Sequence, residues 1–268
     1  MRIQHNMASM NANRQLGITN KSVQKSTEKL SSGYRINRSA DDAAGLAISE
    51  KMRTQIRGLR QASSNCQDAI SMLQTAEGAL GERHSILQRA RELVVQASNS
   101  SVLDDESADF EKIQDELTQL QEVYEKIGDE TQFNKKILLD GTYEGYVQTG
   151  ANAGEGMEIT IDETDWDGVT IDADGEGNSD LLTELDDQIL SVTTVRSKLG
   201  AYQNELEYQV SVDNITQENL QSVESRVRDV DMAAEMAEFS KNNILTQAGT
   251  SMLAQANQQN QSVLSLLS

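Results

Sequence analysis

The complete absence of proline is the strongest constraint on what this chain can fold into. None of its 268 residues is proline, whereas average usage would give about a dozen. Proline interrupts helices because it lacks a backbone N–H and clashes with the preceding turn. Aromatic residues, which supply the large buried areas of globular cores, make up only 4%. The composition therefore favours long uninterrupted helices over one thick globular core.

A strict seven-residue repeat runs through the first half of the chain. Alanine follows three residues after five of its seven members, and Arg83 occupies one of the two other positions. Such a seam of apolar and small residues favours close, coiled-coil-like helix packing. We predict one helix from about Ala44 to Ser98, roughly 80 Å long at ~1.5 Å per residue. The members of the repeat are Met52, Leu59, Cys66, Leu73, Leu80, Leu87 and Val94.

Two further helical segments follow. Apolar residues three and four apart between Phe110 and Ile127 predict a second, shorter amphipathic helix. A second seven-residue repeat extends from Leu185 to Val230. Because the two long repeats match in length, we expect them to pair in one bundle. The second repeat is interrupted by three polar residues, Gln209, Asp213 and Thr216.

Acidic residues are concentrated between the helical segments. Residues 140–188 contain 15 Asp and Glu and no Lys or Arg, which gives −15 of the formal net charge of −20. Apolar and polar residues alternate at 157–161 and 169–171, and Gly and Asp bound both stretches, which predicts a small antiparallel β-hairpin region. A disordered acidic linker is the alternative on composition. The overall acidity argues against nucleic acid as a partner, since nucleic acid rewards clustered cations.

Both ends of the chain have the apolar spacing of helices. The rest of the chain contains no surplus core residues against which these helices could pack. Residues 1–33 predict a helix that ends at Gly33, and Ser39 with Asp42 resembles the start of the next one. Residues 242–268 carry no charge, yet apolar residues still recur there at helical intervals. We interpret both ends as assembly elements, and frayed polar tails are the alternative.

The residues offer no catalytic or metal-binding constellation. The two histidines, His5 and His84, lie far apart, whereas metal sites and hydrolytic dyads draw on clustered His, Cys and carboxylates. The one cysteine, Cys66, lies in the apolar repeat and is expected to behave as a small hydrophobe. Residues 172–177 resemble a calcium loop, but Thr183 stands where its bidentate Glu belongs. We therefore expect no enzyme activity, no metal and no cofactor.

The start of the chain and its apolar stretches bear on localisation. No stretch approaches the ~20 apolar residues that a membrane-spanning helix requires. The first residues also lack the apolar region and small-residue cleavage site of a signal peptide. We therefore expect neither a membrane anchor nor a cleaved signal.

Several longer motifs resemble bacterial flagellin. In the first half they include EKLSSGYRIN at residues 28–37, DDAAGLAI at 41–48 and TQFN at 131–134. In the second half they include QAGTSMLAQAN at residues 247–257 and VLSLL at 263–267. Similar residues cover most of the chain outside its acidic middle.

The resemblance implies a mainly α fold, a long discontinuous helical bundle or coiled coil formed by the two halves, with a small β-hairpin region in the middle. Residues 1–42 and 235–268 are expected to form a terminal-helix coiled-coil domain at the filament core. Residues 43–140 and 185–234 are expected to form the helical bundle domain. The acidic β-hairpin region would occupy 141–184, in place of the large outer domains of many family members.

The implied function is that of a structural subunit that polymerises into the bacterial flagellar filament for swimming motility. A hook–filament junction protein of the same family is the alternative, and a secreted receptor ligand or adhesin is a rival from another class. The residues expected to pack in the filament core are Ile3, Met7, Met10, Leu16, Val23, Leu30, Leu245, Met252, Ala256, Val263 and Leu267.

The resemblance also implies partners and a location. The partners are copies of the chain itself, the flagellar export apparatus, an export chaperone, and hook–filament junction and cap proteins. The location is the extracellular filament, reached without a cleaved signal peptide, and neither nucleic acid nor a membrane is an expected partner. A vertebrate Toll-like receptor recognises the family at positions that match Gln88, Arg89, Leu93 and Glu116, and we expect this chain to keep that contact surface.

Overall fold

The structure, a computed structural model, describes residues 6–99, 108–166, 169–171 and 178–265. The predicted mainly α fold with a small β region in the middle is confirmed. The helices are α1 (Met7–Ser32), α2 (Ala43–Ala97), α3 (Ala108–Glu130), α4 (Asn178–Arg228) and α5 (Met232–Ser265). The strands are β1 (Gln132–Phe133), β2 (Lys136–Ile137), β3 (Glu144–Gln148) and β4 (Gly156–Thr160).

The proline-free repeat forms α2, one helix of 55 residues whose ends lie within one residue of those predicted. Asp42 caps its start, because the carboxylate Oδ1 accepts a hydrogen bond from the backbone N–H of Gly45 at 2.9 Å. The N-cap expected at Ser39 is therefore wrong. The capping residue is Asp42, three residues later and directly before the helix. At the end of α1, Gly33 adopts φ 76° and its N–H donates to the carbonyl of Lys29, as a C-terminal glycine cap does.

The chain divides into two compact units, one from Gln55 to Glu218 and one from the residues on either side. In the unit that holds both chain ends, α1 packs along α5 in the opposite direction. The segments that link these helices to α2 and α4 are joined by an antiparallel bridge between Tyr34 and Asp229. The N–H of Arg35 donates to the carbonyl of Arg228 at 2.7 Å, so backbone hydrogen bonds tie the two segments together.

The other unit holds one continuous apolar core. One face each of α2, α3 and α4 is buried there, together with Ile159 of β4 and, after that strand, Ile161 and Trp166. The two predicted seven-residue repeats thus share a core between residues 66 and 206. The main large side chains from the helices are Leu73, Leu80, Leu87, Leu117, Tyr124, Leu185, Val192, Leu199 and Leu206.

The acidic middle contains one clear hairpin. Strand β3 pairs antiparallel with β4, from Glu144 opposite Thr160 to Gln148 opposite Gly156. The alternation at 157–161 is therefore confirmed as a strand over most of its length, but residues 169–171 form no strand. The side chain of Gln114 satisfies the backbone there instead, donating to the carbonyl of Val169 and accepting from the N–H of Ile171.

A second two-stranded hairpin, β1 with β2, was not expected from the alternation. Its turn residues Asn134 and Lys135 both have positive φ, 50° and 66°, as a tight hairpin turn requires. The resemblance to a calcium loop at 172–177 lies outside the described residues.

Candidate assembly and recognition surfaces

Helix α1 contacts the part of α5 between Glu235 and Ala256. The Asn6 side chain donates to the carbonyl of Ala256 at 3.0 Å, and Lys29 contacts Glu235 at 3.2 Å near the other end. Between them, a Cβ placed on Gly249 would lie 3.2 Å from Leu16 Cδ1. A larger residue there would press on Leu16, so this glycine permits the close approach of the two helices.

The seam between α1 and α5 mixes apolar and polar side chains. Leu16, Val23 and Leu30 are half-buried, and Thr19 and Ser26 are buried among them. On α5, Ala256 is half-buried as well. Sequence reasoning missed the α5 residues that share this seam, although their spacing of three and four residues could have revealed them: Phe239, Asn242, Thr246, Gly249 and Leu253.

Four further predicted packing residues of the two helices are exposed. Met7, Met10, Leu245 and Met252 have 47–66% of their surface accessible. Ile18, Met236 and Ile244 are similarly exposed and add to these apolar faces. Ile3 and Leu267 lie outside the described residues, and the side chain of Val263 does too. The pair of helices therefore presents unpaired apolar surface beyond its own seam.

An ion pair between Lys29 and Glu235 joins α1 to α5 beside Ser26. Burial by itself raises the pKa of the Glu235 carboxyl, but hydrogen bonds from Ser26 and Lys29 and the charges of Lys29 and Lys25 outweigh it. The pKa of Glu235 consequently lies below its ordinary value. Glu235 therefore stays ionised at neutral pH. Its pairing with Lys29 offsets the cost of removing the carboxylate from water.

The four positions of the expected receptor surface lie on α2 and α3. Arg89 bridges the two helices, with its Nε and Nη2 atoms 3.0 and 2.9 Å from Glu116 Oε1. The hydrogen bond and charge of Glu116, with those of Glu92, raise the pKa of Arg89. The Gln88 amide lies 2.9 Å from His84 Nε2 on the exposed side of α2. Leu93 differs from these three because it is only 2% exposed and packs in the core beneath them.

Arg83, an exception in the alanine pattern, is a buried core residue that sequence reasoning did not identify. It is 5% exposed, and its guanidinium carbon lies 4.3 Å from the centre of the Tyr124 ring. Its Nε donates to the Tyr124 carbonyl, and its Nη1 donates to the carbonyl and hydroxyl oxygens of Thr164. Burial lowers the pKa of Arg83, and nearby acidic residues act in the opposite direction.

Cys66 and Asp213 form a second buried polar site. Burial, with the charge of Asp213, raises the pKa of the Cys66 thiol to about 11, so it is held as an unreactive thiol. Asp213 Oδ1 accepts a hydrogen bond from Gln209 at 2.9 Å. In the described part of the chain, Asp213 Oδ2 has no hydrogen-bond partner. Burial also raises the pKa of this carboxyl.

Neither a membrane span nor a metal cluster is present within the described ranges. No helix there is both long and apolar enough to cross a bilayer. No three His, Cys, Asp or Glu side chains there are grouped to hold a metal ion.

Comparison with known proteins identifies the family. Residues 3–144 match the bacterial flagellin N-terminal helical region, and residues 182–267 match the bacterial flagellin C-terminal helical region. A flagellin of Halalkalibacterium halodurans is 53% identical and one of Bacillus subtilis is 48% identical, each over the full length of both chains. The flagellar filament 33 kDa core protein of Treponema phagedenis is 47% identical, again over both full chains. This chain belongs to the bacterial flagellin family.

Proposed function

We propose that this flagellin polymerises through the exposed apolar faces of α1 and α5. As a member of its family, the chain is a structural subunit of the bacterial flagellar filament, which serves motility, and it is not an enzyme. One observation carries the proposed mode of assembly. Four predicted packing residues, Met7, Met10, Leu245 and Met252, remain 47–66% exposed after α1 and α5 have paired.

Burial of these faces between copies supplies the driving force. Removing apolar surface from water contributes about 25 cal/mol per Å². Ordering the chain ends opposes assembly by about 1–2 kcal/mol per residue for the backbone. The two terms partly cancel, so the ends gain full order only in the polymer. A contact between different faces of successive copies builds an open filament when its rotation does not close into a ring.

The proposed roles in the filament follow the three regions expected from the resemblance. Residues 1–42 and 235–268 line the filament core, and the bundle of 43–140 and 185–234 surrounds it. The hairpin region, 141–184, stays part of the bundle. The paired backbone at Tyr34 and Asp229 supports a boundary where the chain passes between α1 and α2 and between α4 and α5.

Elongation from seeds tests the proposed assembly. The purified chain should lengthen sheared fragments of its own filaments, as measured by sedimentation and electron microscopy. A double variant, Met10→Glu with Met252→Glu, should stay in the supernatant, whereas Met10→Leu with Met252→Leu should elongate normally. Equal elongation by both variants would contradict the proposal.

The same assay addresses the alternative function. A hook–filament junction protein would adapt the end of a filament without lengthening it. Failure of the unmodified chain to elongate its own seeds, with attachment confined to one end, would favour that alternative.

The exposed apolar faces also support the expected partners. An export chaperone would cover the apolar side of α5 before assembly, and the flagellar export apparatus would carry the chain outward without a cleaved signal. Hook–filament junction and cap proteins would meet the two ends of the polymer. Co-purification of the chaperone with the full chain, and its loss when α5 carries Leu245→Glu and Met252→Glu, tests the first of these steps.

Recognition by a vertebrate Toll-like receptor is proposed for the face that carries Gln88, Arg89 and Glu116. The Arg89–Glu116 contact fixes two charged groups at the junction of α2 and α3. Leu93 is proposed to shape this face from below, because its own side chain is buried.

A further inference from the structure

An open cavity, which we name the hairpin cavity, lies between residues 65–72 of α2 and the two hairpins. Its volume is about 380 Å³, within the ~300–1,000 Å³ range of small-molecule sites. Three of the ten aromatic residues of the chain line it: Phe133, Tyr143 and Tyr146. Aromatic side chains grouped around an open cavity, and not inside the core, are typical of a binding site.

Two glycines of the β3–β4 hairpin set the positions of the tyrosines. A Cβ on Gly145 would lie 2.6 Å from Tyr143 Oη, and one on Gly156 would collide with the ring of Tyr146. Each ring therefore lies close over glycine backbone. The hydroxyl of Tyr143 also donates to Met72 Sδ at 2.8 Å. Tyr146 remains 61% exposed, so its ring is positioned by the hairpin but left open to a ligand.

The hairpin cavity combines apolar and polar lining residues. Met72 is buried and Val147 is half-buried, and both supply apolar surface. Asp68, Asn134 and Lys136 line the cavity as well and are exposed. Within the described part of the chain, no hydrogen bond or ion pair engages the side chains of these three residues. Their polar groups are therefore available to a ligand.

Charge decides which kind of ligand the hairpin cavity suits. Among the described residues, one carboxylate, Asp68, and one ammonium, Lys136, are the charged groups that line it. The cavity thus has no net formal charge, on a chain whose formal net charge is −20. A cation or an anion would meet a group of its own sign there. A neutral ligand that both donates and accepts hydrogen bonds can use both groups.

An added peptide strand fits the hairpin cavity less well. Such a strand would need the free backbone edge of β3. The carbonyl of Gln148, at the end of β3, already accepts a hydrogen bond from Asn65 Nδ2 at 3.3 Å. The side chain of α2 thus occupies part of that edge, which favours a small ligand over a strand.

We infer that the hairpin cavity binds a neutral N-acetylated sugar. One face of a sugar ring can present C–H groups, whose partial positive charge is attracted to the negative face of an aromatic ring such as that of Tyr146. Sugar hydroxyls would donate to Asp68 and accept from Lys136. The acetamido methyl group would cover apolar surface of Met72 and Val147.

This inference goes beyond the proposed assembly and does not depend on it. The residues that line the hairpin cavity all belong to the unit from Gln55 to Glu218, whereas α1 and α5 belong to the other unit. Sugar binding can therefore be measured on the full-length monomer. A failure to bind sugar would leave the assembly through α1 and α5 intact.

Calorimetric titration with chitotriose, a trimer of N-acetylglucosamine, tests the inference. Tyr146→Ala should weaken binding about tenfold, whereas Tyr146→Phe should retain it because the ring face is kept. Tyr208→Ala is the matched control, since Tyr208 is 76% exposed on α4 and does not line the cavity. Both alanine variants should melt close to the temperature of the unmodified chain, because both sites are exposed. Absence of chitotriose binding, or equal affinity of Tyr146→Ala and the unmodified chain, would overturn the inference.

Other sugars test the chemistry of the ligand. Cellotriose, which lacks acetamido groups, and N-acetylneuraminic acid, which is anionic, should both bind more weakly than chitotriose. Equal or tighter binding of either one would overturn the assignment to a neutral N-acetylated sugar. Retention of the monomer on insoluble chitin or on purified bacterial cell-wall glycan distinguishes two sources of such a sugar, and retention on neither would contradict the inference.

Discussion

The guanidinium of Arg83 lies 4.3 Å from the ring centre of Tyr124, and its Nε donates to the carbonyl of the same residue at 3.1 Å. This arrangement joins α2 to α3 inside the core. A bond from Tyr124 Oη to the Thr164 carbonyl, at 2.8 Å, extends the link to the segment after β4. The cation is tolerated in the core because carbonyl and hydroxyl oxygens accept its hydrogen bonds.

Replacing Arg83 by alanine should destabilise the bundle by about 3 kcal/mol, since it removes three buried hydrogen bonds that the guanidinium donates and creates a cavity. The free energy of unfolding in urea measures the effect. The free energy of unfolding of Arg83→Lys should lie between that of Arg83→Ala and that of the unmodified chain. A lysine ammonium cannot donate to Tyr124 and Thr164 at once, as the planar guanidinium does. Arg89→Ala, on the exposed side of α2, is the matched control and should unfold at almost the same urea concentration as the unmodified chain. If Arg83→Ala lowered the free energy of unfolding no more than Arg89→Ala does, a structural role for Arg83 would be contradicted.

Asp213 should make stability depend on pH in a defined direction. Burial raises the pKa of this carboxyl in the folded state above its ordinary value of 3.8. A raised acid pKa destabilises the fold above the folded pKa, and the cost disappears as pH falls towards the unfolded pKa. Asp213→Asn should therefore raise the melting temperature at pH 7 by about 2–4 °C, the shift expected for ~1 kcal/mol in a chain of this size.

The advantage of Asp213→Asn should shrink as the pH is lowered towards 4. Thermal melts at several pH values, followed by circular dichroism, measure it. The exposed neighbour Asn214 provides a control, since Asn214→Asp introduces a charge without burying it. A constant difference between Asp213→Asn and the unmodified chain across the pH range would show that ionisation of Asp213 is not its cause.

The fold was largely predictable because its signals are local and repeated. The seven-residue repeat placed both ends of α2 within one residue, and Gly33 marked the end of α1. Arg83 was not predictable, because its partners Tyr124 and Thr164 lie 41 and 81 residues away along the chain. The strand expected at 169–171 failed for a similar reason, since Gln114, from another helix, takes the place of a neighbouring strand.

The surfaces were predictable only in part. Apolar periodicity shows that a helix has an apolar face, but it does not show which face the fold covers. Leu16 and Met10 were grouped together as packing residues, yet the first is half-buried against α5 and the second is exposed. Leu93 belonged to a predicted contact surface but lies in the core. Only the packed structure separates residues that a single chain buries from those left for a neighbour.

Receptor recognition should depend on Arg89 and not on arginine charge in general. Arg89→Ala should weaken binding to the vertebrate flagellin-recognising receptor at least tenfold, because it removes both an exposed cation and the group that orients Glu116. Arg91→Ala is a matched control, since Arg91 is also exposed and also bridges two helices, through Asp186 at 2.7 Å. Binding to the receptor ectodomain, measured with monomeric protein, should be retained by the control. Similar losses in both variants would point to general electrostatic attraction.

Assembly should change the order of the terminal helices more than that of the bundle. In dilute monomer, α1 and the first part of α5 stabilise each other through one shared seam, whereas α2 between Cys66 and Val94 packs in a core formed by three helices. Amides of α1 should therefore exchange with solvent at least tenfold faster than those of α2 in the monomer. In filaments the exchange of α1 should slow towards that of α2, because burial of Met7 and Met10 adds a second packed face. Hydrogen exchange followed by mass spectrometry resolves the two helices. Protection of α1 equal to that of α2 already in the monomer would mean that the terminal pair needs no neighbouring copy to become fully ordered.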